Sequence, residues 1–404
     1  MSADAVALTP VEEASLRRDW KLFTILTFLF GMGFQLYNGP FQNFLRDVLH
    51  ADEVNLGALE SMREIPGLLA ALTAGTLVAF AESRIAAAGL IIAGFGIAVS
   101  GRMHTFSALV AITVFWSVGF HLWSTVQSAI ILALAKGKEG GRHLGRMSGV
   151  SAVATIGGLG FAYGLSLLFH KLPYDVYFVS GGVAIMAAGV LCSQLSTHAE
   201  GGKRQRIVFR KEYGLYYILT FLEGCRRQIF SIFASFALIL VYHVPVQHML
   251  SLQFLNAILI SMTAPAIGKL VDRIGEKGPL TFYSIGLIVV FLGYATFQTV
   301  GALYALFLLD NVLFSFGVGF TVYLHRIVRP GELTPCLAMG TTMNHIAAVT
   351  VPIGGALLWK ATDNYQYPFW VGVGIAIISW LAMRFLPNGP AQPSLESTNG
   401  AQQQ

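Results

Sequence analysis

Long runs of apolar residues, separated by short polar turns, dominate this chain. A helix of about 20 residues is needed to cross the ~30 Å hydrocarbon core of a bilayer, and most of the runs reach that length. The chain is 55% hydrophobic and only 12% charged, against about 25% charged residues in an average soluble domain. These values exclude an ordinary soluble enzyme and predict an all-α membrane protein. Twelve transmembrane helices are predicted, near residues 22–45, 54–80, 85–101, 105–134, 147–169, 175–195, 213–242, 247–270, 279–298, 301–325, 333–359 and 367–386.

An internal repeat divides these spans into two sets of six. Residues 25–35 read ILTFLFGMGFQ, and residues 218–228, 193 positions later, read ILTFLEGCRRQ, so seven of eleven positions are identical. A duplicated six-helix unit explains the repeat most simply, and parallel duplicated halves with a site between them are a transporter design. We therefore expect two pseudo-symmetric six-helix halves. The second copy differs in charge, because it has Glu223, Arg226 and Arg227 where the first has phenylalanine or glycine.

The repeat also sets the expected domain organisation. We expect a cytoplasmic N-terminal tail over 1–20, an N-terminal half over 21–195, a basic cytoplasmic linker over 196–211, a C-terminal half over 212–387 and a disordered tail over 388–404. The last segment is rich in proline, serine, asparagine and glutamine, a composition typical of disorder. No phosphate-cradling glycine loop occurs in the sequence, so ATP-driven pumping is not expected of this chain.

The distribution of lysine and arginine over the predicted loops sets the expected orientation. With the N-terminus inside, the inner loops and ends carry 19 of the 26 Lys and Arg residues and the outer loops carry 4. This bias follows the positive-inside rule, so we expect a multi-pass protein of the bacterial inner membrane with both termini cytoplasmic. The net charge of +5 then reflects topology, and no nucleic-acid partner is expected. The three cysteines lack metal-ligand or disulfide spacing, and we expect no metal and no cofactor.

The segment GKLVDRIGEK at 268–277 carries a specific signature. It resembles the G-x-L-x-D-R-x-G-x-K loop of the major facilitator superfamily, and the likeness extends to twelve spans, a basic central loop and the duplication. The resemblance implies a secondary transporter in which Gly268, Asp272 and Arg273 form a cytoplasmic latch that takes part in gating. A solvated turn whose charges only fix topology is the alternative. The first-half counterpart, GTLVAFAESR at 75–84, has alanine in place of the aspartate.

Charged residues inside the predicted spans are the strongest functional signal. An ionised side chain at the bilayer centre costs at least ~2.5–3.5 kcal/mol, so such residues are expected to face a bundle interior or water. In the second span, Glu60, Arg63 and Glu64 share one helical face. The resemblance implies that the outer ends of the second and seventh helices are neighbours, so these acids are candidates for a gating ion pair with Arg226 or Arg227. The alternative is pairing within each helix.

Three further spans carry candidate coupling groups. Glu223, Arg226 and Arg227 lie near the middle of the seventh span, and their two cations favour an anionic or zwitterionic solute. Asp310 lies in an apolar stretch of the tenth span, LFLLDNVLF, and should be protonated at neutral pH if it is unpaired. His345 lies in the eleventh span, and the ordinary titration range of a histidine side chain suits proton coupling. Each of these residues is a proton-coupling candidate, and a hydrogen-bonded structural role is the alternative.

Polar residues in the first and fourth spans are candidates for lining a substrate cavity. Gln35 and Asn38 lie close to Pro40, which removes a backbone hydrogen bond and indicates a hinge or a simple kink. In the fourth span, His121 and Gln127 accompany two tryptophans. Aromatic side chains with a few polar groups suit a small organic molecule, whereas lipid-facing or interfacial tryptophan is the alternative. The tryptophans are Trp116 and Trp123.

Together these features predict a secondary active transporter that moves a small solute by alternating access. We expect proton coupling, as a symporter or antiporter, in a functional monomer whose partners are the solute, protons and the lipid bilayer. A non-transporting receptor or assembly factor on the same scaffold is one alternative. A soft-metal (copper) transporter is another, because Met339 and Met343 stand near His345 at helical spacing. No nucleophile set or metal cluster with catalytic spacing is present in the sequence, so no enzyme is expected.

Overall fold

The computed structural model describes residues 9–73, 81–135, 140–169, 172–196, 209–329 and 332–389. Within these ranges the chain is helical and contains no strand, which confirms the predicted fold class. The helices are α1 (Pro10–Asp47), α2 (Glu53–Thr73), α3 (Glu82–Ser100), α4 (Phe106–Ala135), α5 (Gly140–Leu168), α6 (Tyr174–Cys192), α7 (Gly214–Gln228), α8 (Ser235–Leu240), α9 (Val246–Ile274), α10 (Lys277–Thr296), α11 (Val300–Phe314), α12 (Val318–Ile327), α13 (Leu333–Thr362) and α14 (Gln366–Met383).

Two pairs of these helices are parts of longer rods. α7 runs into α8 through a π-helix at Ile229–Ala234, and α11 runs into α12 through a 3-10 segment at Ser315–Gly317. In the described ranges the helices therefore form twelve rods, one for each predicted span.

Ten helices of the described part are long and apolar enough to cross a membrane. The described parts of the predicted second and seventh spans are not among these ten. α2 carries Glu60, Arg63 and Glu64 within 21 residues, and α7 is 15 residues long and ends at the π-helix. The two exceptions are therefore the spans in which charged residues are concentrated.

The start of α1 lies well before the predicted first span. Thr9 caps the helix in a reciprocal capping box with Glu12, and Pro10 occupies the first helical position. Both features stabilise a helix N-terminus. α1 then continues through Pro40 as one helix of 38 residues, so the proline removes one backbone hydrogen bond without ending the helix.

The described helices group into two compact units, which differ from the predicted halves by two short segments. Unit 1 comprises Met1–Asn55, Met62–Arg204 and Val244–Ala257, and unit 2 comprises Leu56–Ser61, Gln205–His243 and Ile258–Gln404. The start of α9 thus belongs to unit 1 because it binds α1 there. The Asn43 side-chain amide donates to the carbonyl of Val244 at 3.1 Å, and Gln253 donates to the carbonyl of Gly39 at 3.2 Å.

The two units repeat the same helix pairings. In unit 1, α3 packs against α4 and α6, and α1 packs against α5 and α6. In unit 2, α10 packs against α11 and α14, and α7 packs against α13 and α14. In chain order, these packed helix pairs of unit 2 correspond one to one to those of unit 1. This correspondence is expected of a duplicated six-helix unit.

Close helix packing in unit 1 depends on glycine. A Cβ atom at Gly33 would lie 2.5 Å from the carbonyl oxygen of Gly181, and one at Gly181 would lie 2.5 Å from the carbonyl oxygen of Gly33. Small residues let the backbones of membrane helices approach closely. The contact between α1 and α6 therefore requires both glycines.

Candidate functional site

The rods that carry the embedded charges of unit 2 are also those whose pitch changes midway. The π-helix begins two residues after Arg227, and the 3-10 segment begins five residues after Asp310. π-segments within α-helices are rare and occur frequently at functional sites, while mid-helix 3-10 segments often mark hinges or strain. The sequence did not predict either irregularity.

An ion triad of Glu223, Arg226 and Asp310 links these two rods. The Arg226 Nη1 atom lies 3.1 Å and 3.2 Å from the two carboxylate oxygens of Asp310 on α11. Its Nη2 and Nε atoms donate to Oε1 of Glu223, one turn earlier on α7, at 2.8 Å and 3.1 Å. Asp310, expected to be protonated if unpaired, thus has a partner.

Aromatic side chains enclose the arginine of the triad. Tyr283 on α10 donates its hydroxyl to Oε2 of Glu223 at 2.7 Å. The guanidinium carbon of Arg226 lies 5.4 Å from the Tyr283 ring centroid and 5.1 Å from that of Phe314, within the range of cation–π attraction. The Arg226 side chain is only 2% exposed and that of Asp310 4%, so the triad is held away from solvent.

The charges of the triad do not balance. One guanidinium faces two carboxylates, which leaves a net charge of −1 if both acids are ionised. Burying a net charge is costly, because the attraction between partners must offset the desolvation of every ion. A single proton on the cluster makes it neutral, and this is the chemistry that the arrangement favours.

Arg227 lies at the edge of this cluster and has a different environment. It is exposed, and its guanidinium carbon lies 5.5 Å from the centroid of the Phe314 ring. Asn311, the neighbour of Asp310, donates to the carbonyl of Phe307 in its own helix. The predicted cationic pair of α7 therefore consists of one buried and one exposed arginine.

Unit 1 contains a second polar cluster, between α2 and α4. Arg63 binds Oε1 of its neighbour Glu64 with Nη2 at 3.1 Å. Nε2 of His121 lies 3.8 Å from Oε2 of Glu64, and its Nδ1 lies 2.9 Å from the carbonyl oxygen of Ser117. The sequence predicted His121 and Glu64 as separate candidates, and the structure brings them together.

The two tryptophans of α4 are packed inside unit 1. Trp116 is 2% exposed and Trp123 is 1% exposed. Trp116 contacts the ring of Tyr37 at a centroid distance of 5.3 Å, and Trp123 contacts Phe30 at 5.6 Å. The lipid-facing alternative is therefore wrong for both, and they belong to the aromatic core between α1 and α4.

The remaining candidates for lining, coupling and gating differ in their exposure to solvent. Gln35 and Gln127 are half-buried in unit 1, and Asn38 is exposed there. Glu60 is buried, with 4% exposure, in the part of α2 that belongs to unit 2. His345 is half-buried midway along α13.

The signature loop ends α9 and begins α10. Gly275 has a φ of 84°, a left-handed conformation that favours glycine. Asp272 and Arg273 are exposed at the end of α9. The charged residue of the loop that is fully buried is Glu276, which accepts a hydrogen bond from Arg326 at 2.8 Å. The sequence did not predict this pair. In the first-half counterpart, residues 75–80 lie outside the described residues.

A further network joins the segment before α7 to the start of α13. Arg210 donates to Glu332 at 2.6 Å, and the Tyr213 hydroxyl also donates to Glu332 at 2.6 Å. These hydrogen bonds hold the pKa of Glu332 below its usual value, and the same contact with Glu332 raises the pKa of Arg210. Arg329 pairs with Glu212 beside them at 2.8 Å. In the sequence, Arg210 and Arg329 indicate only the membrane topology.

The fold and the embedded charges define a class, the multi-pass transporters with two repeated helix bundles. Residues 23–325 match the sequence model of the Major Facilitator Superfamily. This match covers most of the chain, so the protein belongs to that superfamily, and the resemblance stated from the motif is confirmed. A comparison with curated proteins finds no match.

Solved structures of the superfamily share the fold at low sequence identity. An alanine mutant of the nucleoside transporter NupG is 14% identical, with a TM-score of 0.76, over 90% of this chain and 98% of that chain. A bacterial homologue of the iron transporter ferroportin is 16% identical, with a TM-score of 0.72, over 91% and 98%. The xylose transporter XylE from E. coli is 15% identical, with a TM-score of 0.69, over 97% and 99%.

Proposed function

We propose that this protein is a proton-coupled secondary transporter of an anionic or zwitterionic solute. It acts by alternating access, as a monomer, in the bacterial inner membrane with both termini cytoplasmic. The ion triad carries the proposal. By their names, the similar structures are a nucleoside transporter, a bacterial homologue of an iron transporter and a xylose transporter, so the fold alone does not identify the cargo. Cargo and coupling are therefore inferred from the residues of this chain.

Asp310 is the proton-binding carboxylate of the triad. Glu223 accepts three hydrogen bonds, two from Arg226 and one from Tyr283. Asp310 accepts two contacts, and both come from Nη1 of Arg226. Neutralising Asp310 removes the excess charge of the triad while Glu223 keeps its donors.

Protonation of Asp310 changes what Arg226 can bind. With Asp310 neutral, the guanidinium loses one of its two anionic partners, and Nη1 becomes available to a carboxylate or phosphate of the cargo. Arginine suits such groups because it presents planar, paired donors. Since the proton increases the affinity for the anion, the anion must increase the affinity for the proton by the same factor. This reciprocity favours symport.

Arg227 and Phe314 supply the second contact for the cargo. The exposed guanidinium of Arg227 adds positive charge next to the buried triad, and Phe314, which is 40% exposed, offers an aromatic face. A solute with an anionic group and an apolar or planar body matches this combination. A solute that also carries a cationic group can bind as well, because the carboxylate of Glu223 attracts that group.

The other sequence candidates extend this proposal to lining and gating. Gln35, Asn38, His121, Gln127 and His345 are proposed as lining or coupling residues. Glu60, Arg63 and Glu64 are proposed for one gate, and Gly268, Asp272 and Arg273 for the cytoplasmic latch. Asp272→Asn should slow transport without preventing folding.

Solute-driven proton movement in proteoliposomes tests the proposed function. Purified protein is reconstituted into vesicles that contain a pH-sensitive dye. Pools of anionic, zwitterionic, neutral and cationic solutes are then added outside the vesicles. We expect internal acidification with an anionic or zwitterionic pool. Asp310→Asn should abolish the acidification but retain exchange of the labelled solute between the two sides, since exchange does not require net proton transfer.

Asn311→Ala is the matched control, because Asn311 precedes the same 3-10 segment and bonds only within its own helix among the contacts described. It should behave like the wild type. Proton movement driven only by neutral or cationic pools would contradict the proposed cargo. Solute uptake that is identical with and without a proton gradient would contradict the coupling.

A further inference from the structure

Unit 1 contains a pocket that none of the transport residues line. It lies at the end of the unit where α1 and α5 end and where α6 and α9 begin. Its accessible volume is about 350 Å³, within the ~300–1,000 Å³ range of small-molecule sites. Its walls are formed by the ends of α1 and α5, by Leu172, Pro173, Tyr174 and Tyr177, and by residues 245–247.

The polar wall of the pocket contains a cation and an anion side by side. Nε of Arg46 lies 2.6 Å from Oδ1 of Asp47, and Nη1 of Arg46 lies 3.4 Å from the carbonyl oxygen of Val244. Tyr174 donates its hydroxyl to Oδ2 of Asp47. The side chains of Arg46 and Asp47 are 20% and 35% exposed, so both remain in reach of a ligand. A ligand that matches this wall carries a negative and a positive group close together.

The apolar rim of the pocket continues along the surface of α5. Leu167, Leu168 and Phe169 are 51%, 76% and 56% exposed, and α5 is one of the helices that can cross a membrane. A span end with exposed apolar residues next to a tyrosine is typical of the bilayer interface. The pocket therefore opens where headgroups and acyl chains meet.

We infer that this pocket binds the headgroup of a zwitterionic phospholipid that carries a primary ammonium group. The phosphate binds Arg46, the ammonium binds Asp47, and the acyl chains lie along Leu167, Leu168 and Phe169. A primary ammonium provides three donors for the carboxylate, which a quaternary ammonium lacks. The inference is independent of the proposed function, because none of these residues belongs to the ion triad.

Native mass spectrometry of the full chain with defined lipids tests the inference. The lipids are phosphatidylethanolamine, phosphatidylcholine and phosphatidylglycerol with the same acyl chains. We expect one tightly bound phosphatidylethanolamine per chain, with about tenfold weaker binding of the other two, which corresponds to ~1.4 kcal/mol. Asp47→Asn should remove the preference for phosphatidylethanolamine over phosphatidylcholine, and Arg46→Gln should weaken binding of all three.

Two further variants distinguish the loss of the lipid site from a loss of folding. Gln247→Trp fills the pocket from its rim without removing the Arg46–Asp47 pair, and it should abolish the bound lipid. Arg102→Gln disrupts an exposed ion pair with Asp175 that does not line the pocket, and it should leave lipid binding unchanged. Equal binding of the three lipids, or undiminished binding by the Asp47→Asn and Gln247→Trp variants, would overturn the inference. Equally tight binding of soluble phosphoethanolamine would show a site for a free solute and would also overturn it.

Discussion

Arg226 Nη1 lies 3.1 Å from Oδ2 of Asp310, although 84 positions separate the two residues in the chain. This contact joins α7 to α11 next to the two places where these rods depart from regular helical pitch. It also makes the net charge around the arginine depend on the protonation state of an acid on another helix. Protonation of Asp310 would therefore change the interactions of both α7 and α11.

The first prediction concerns the stability that the ion triad requires. Arg226→Gln leaves the buried carboxylate of Asp310 and the partly buried one of Glu223 without their cation, and removing one partner of a buried pair typically costs about 3–5 kcal/mol. We expect a large drop in unfolding temperature for this variant in detergent. The double variant Arg226→Gln/Asp310→Asn should recover part of the loss, since it removes one of the stranded charges. A double variant that is less stable than the single one would contradict the assignment.

The second prediction concerns the π-helix at Ile229–Ala234. A π-turn contains one more residue than an α-turn, so deleting one residue can restore an α-helix while the flanking helices keep their orientation. Deletion of Ser231, which is exposed, should leave the unfolding temperature close to that of the wild type but abolish transport. Deletion of Ile285, an exposed residue of the regular helix α10, should be far more destabilising. Equal destabilisation by the two deletions would argue against a π-segment at this position.

Some properties of the site could be predicted from the sequence, and others could not. The depth of Asp310 and Glu223 in their spans follows from counting residues along apolar runs, and the structure buries Asp310 as expected. The partner of Asp310 could not be predicted, because it depends on how α7 and α11 are rotated against each other. The Glu276–Arg326 pair was missed for the same reason. The residue composition of the sequence does not indicate the π-helix or the 3-10 segment.

The third prediction concerns the pH dependence of the Arg210–Glu332 contact. Because Arg210 and Tyr213 lower the pKa of Glu332 from its ordinary value of 4.5, the contact stabilises the folded protein at pH values above that value. The contribution is lost as the pH falls through the lower pKa of the folded state. Wild-type protein should therefore unfold at a higher temperature than Glu332→Gln near neutral pH, and the difference should disappear on acidification. A difference that persists at the lowest pH would assign the effect to packing.

The fourth prediction concerns the contact between α1 and α6. Gly33→Ala places a methyl group 2.5 Å from the carbonyl oxygen of Gly181, and overpacking of this kind costs about 1–3 kcal/mol. Gly164→Ala on α5 is the control, because nothing lies within 4 Å of a Cβ atom at that position. Thermal unfolding should show a loss for the first variant and no loss for the second. Similar unfolding temperatures for both variants would contradict the close helix approach.

Infrared difference spectroscopy of the purified protein between high and low pH tests the central claim most directly. Protonation of a buried carboxylate produces a new carboxylic-acid C=O band, which identifies the group when it disappears on substitution. We predict such a band in the wild type and in Glu223→Gln, and its loss in Asp310→Asn. A wild-type spectrum without a buried carboxylic-acid band, or a band that survives Asp310→Asn, would contradict the assignment of Asp310 as the proton-binding residue.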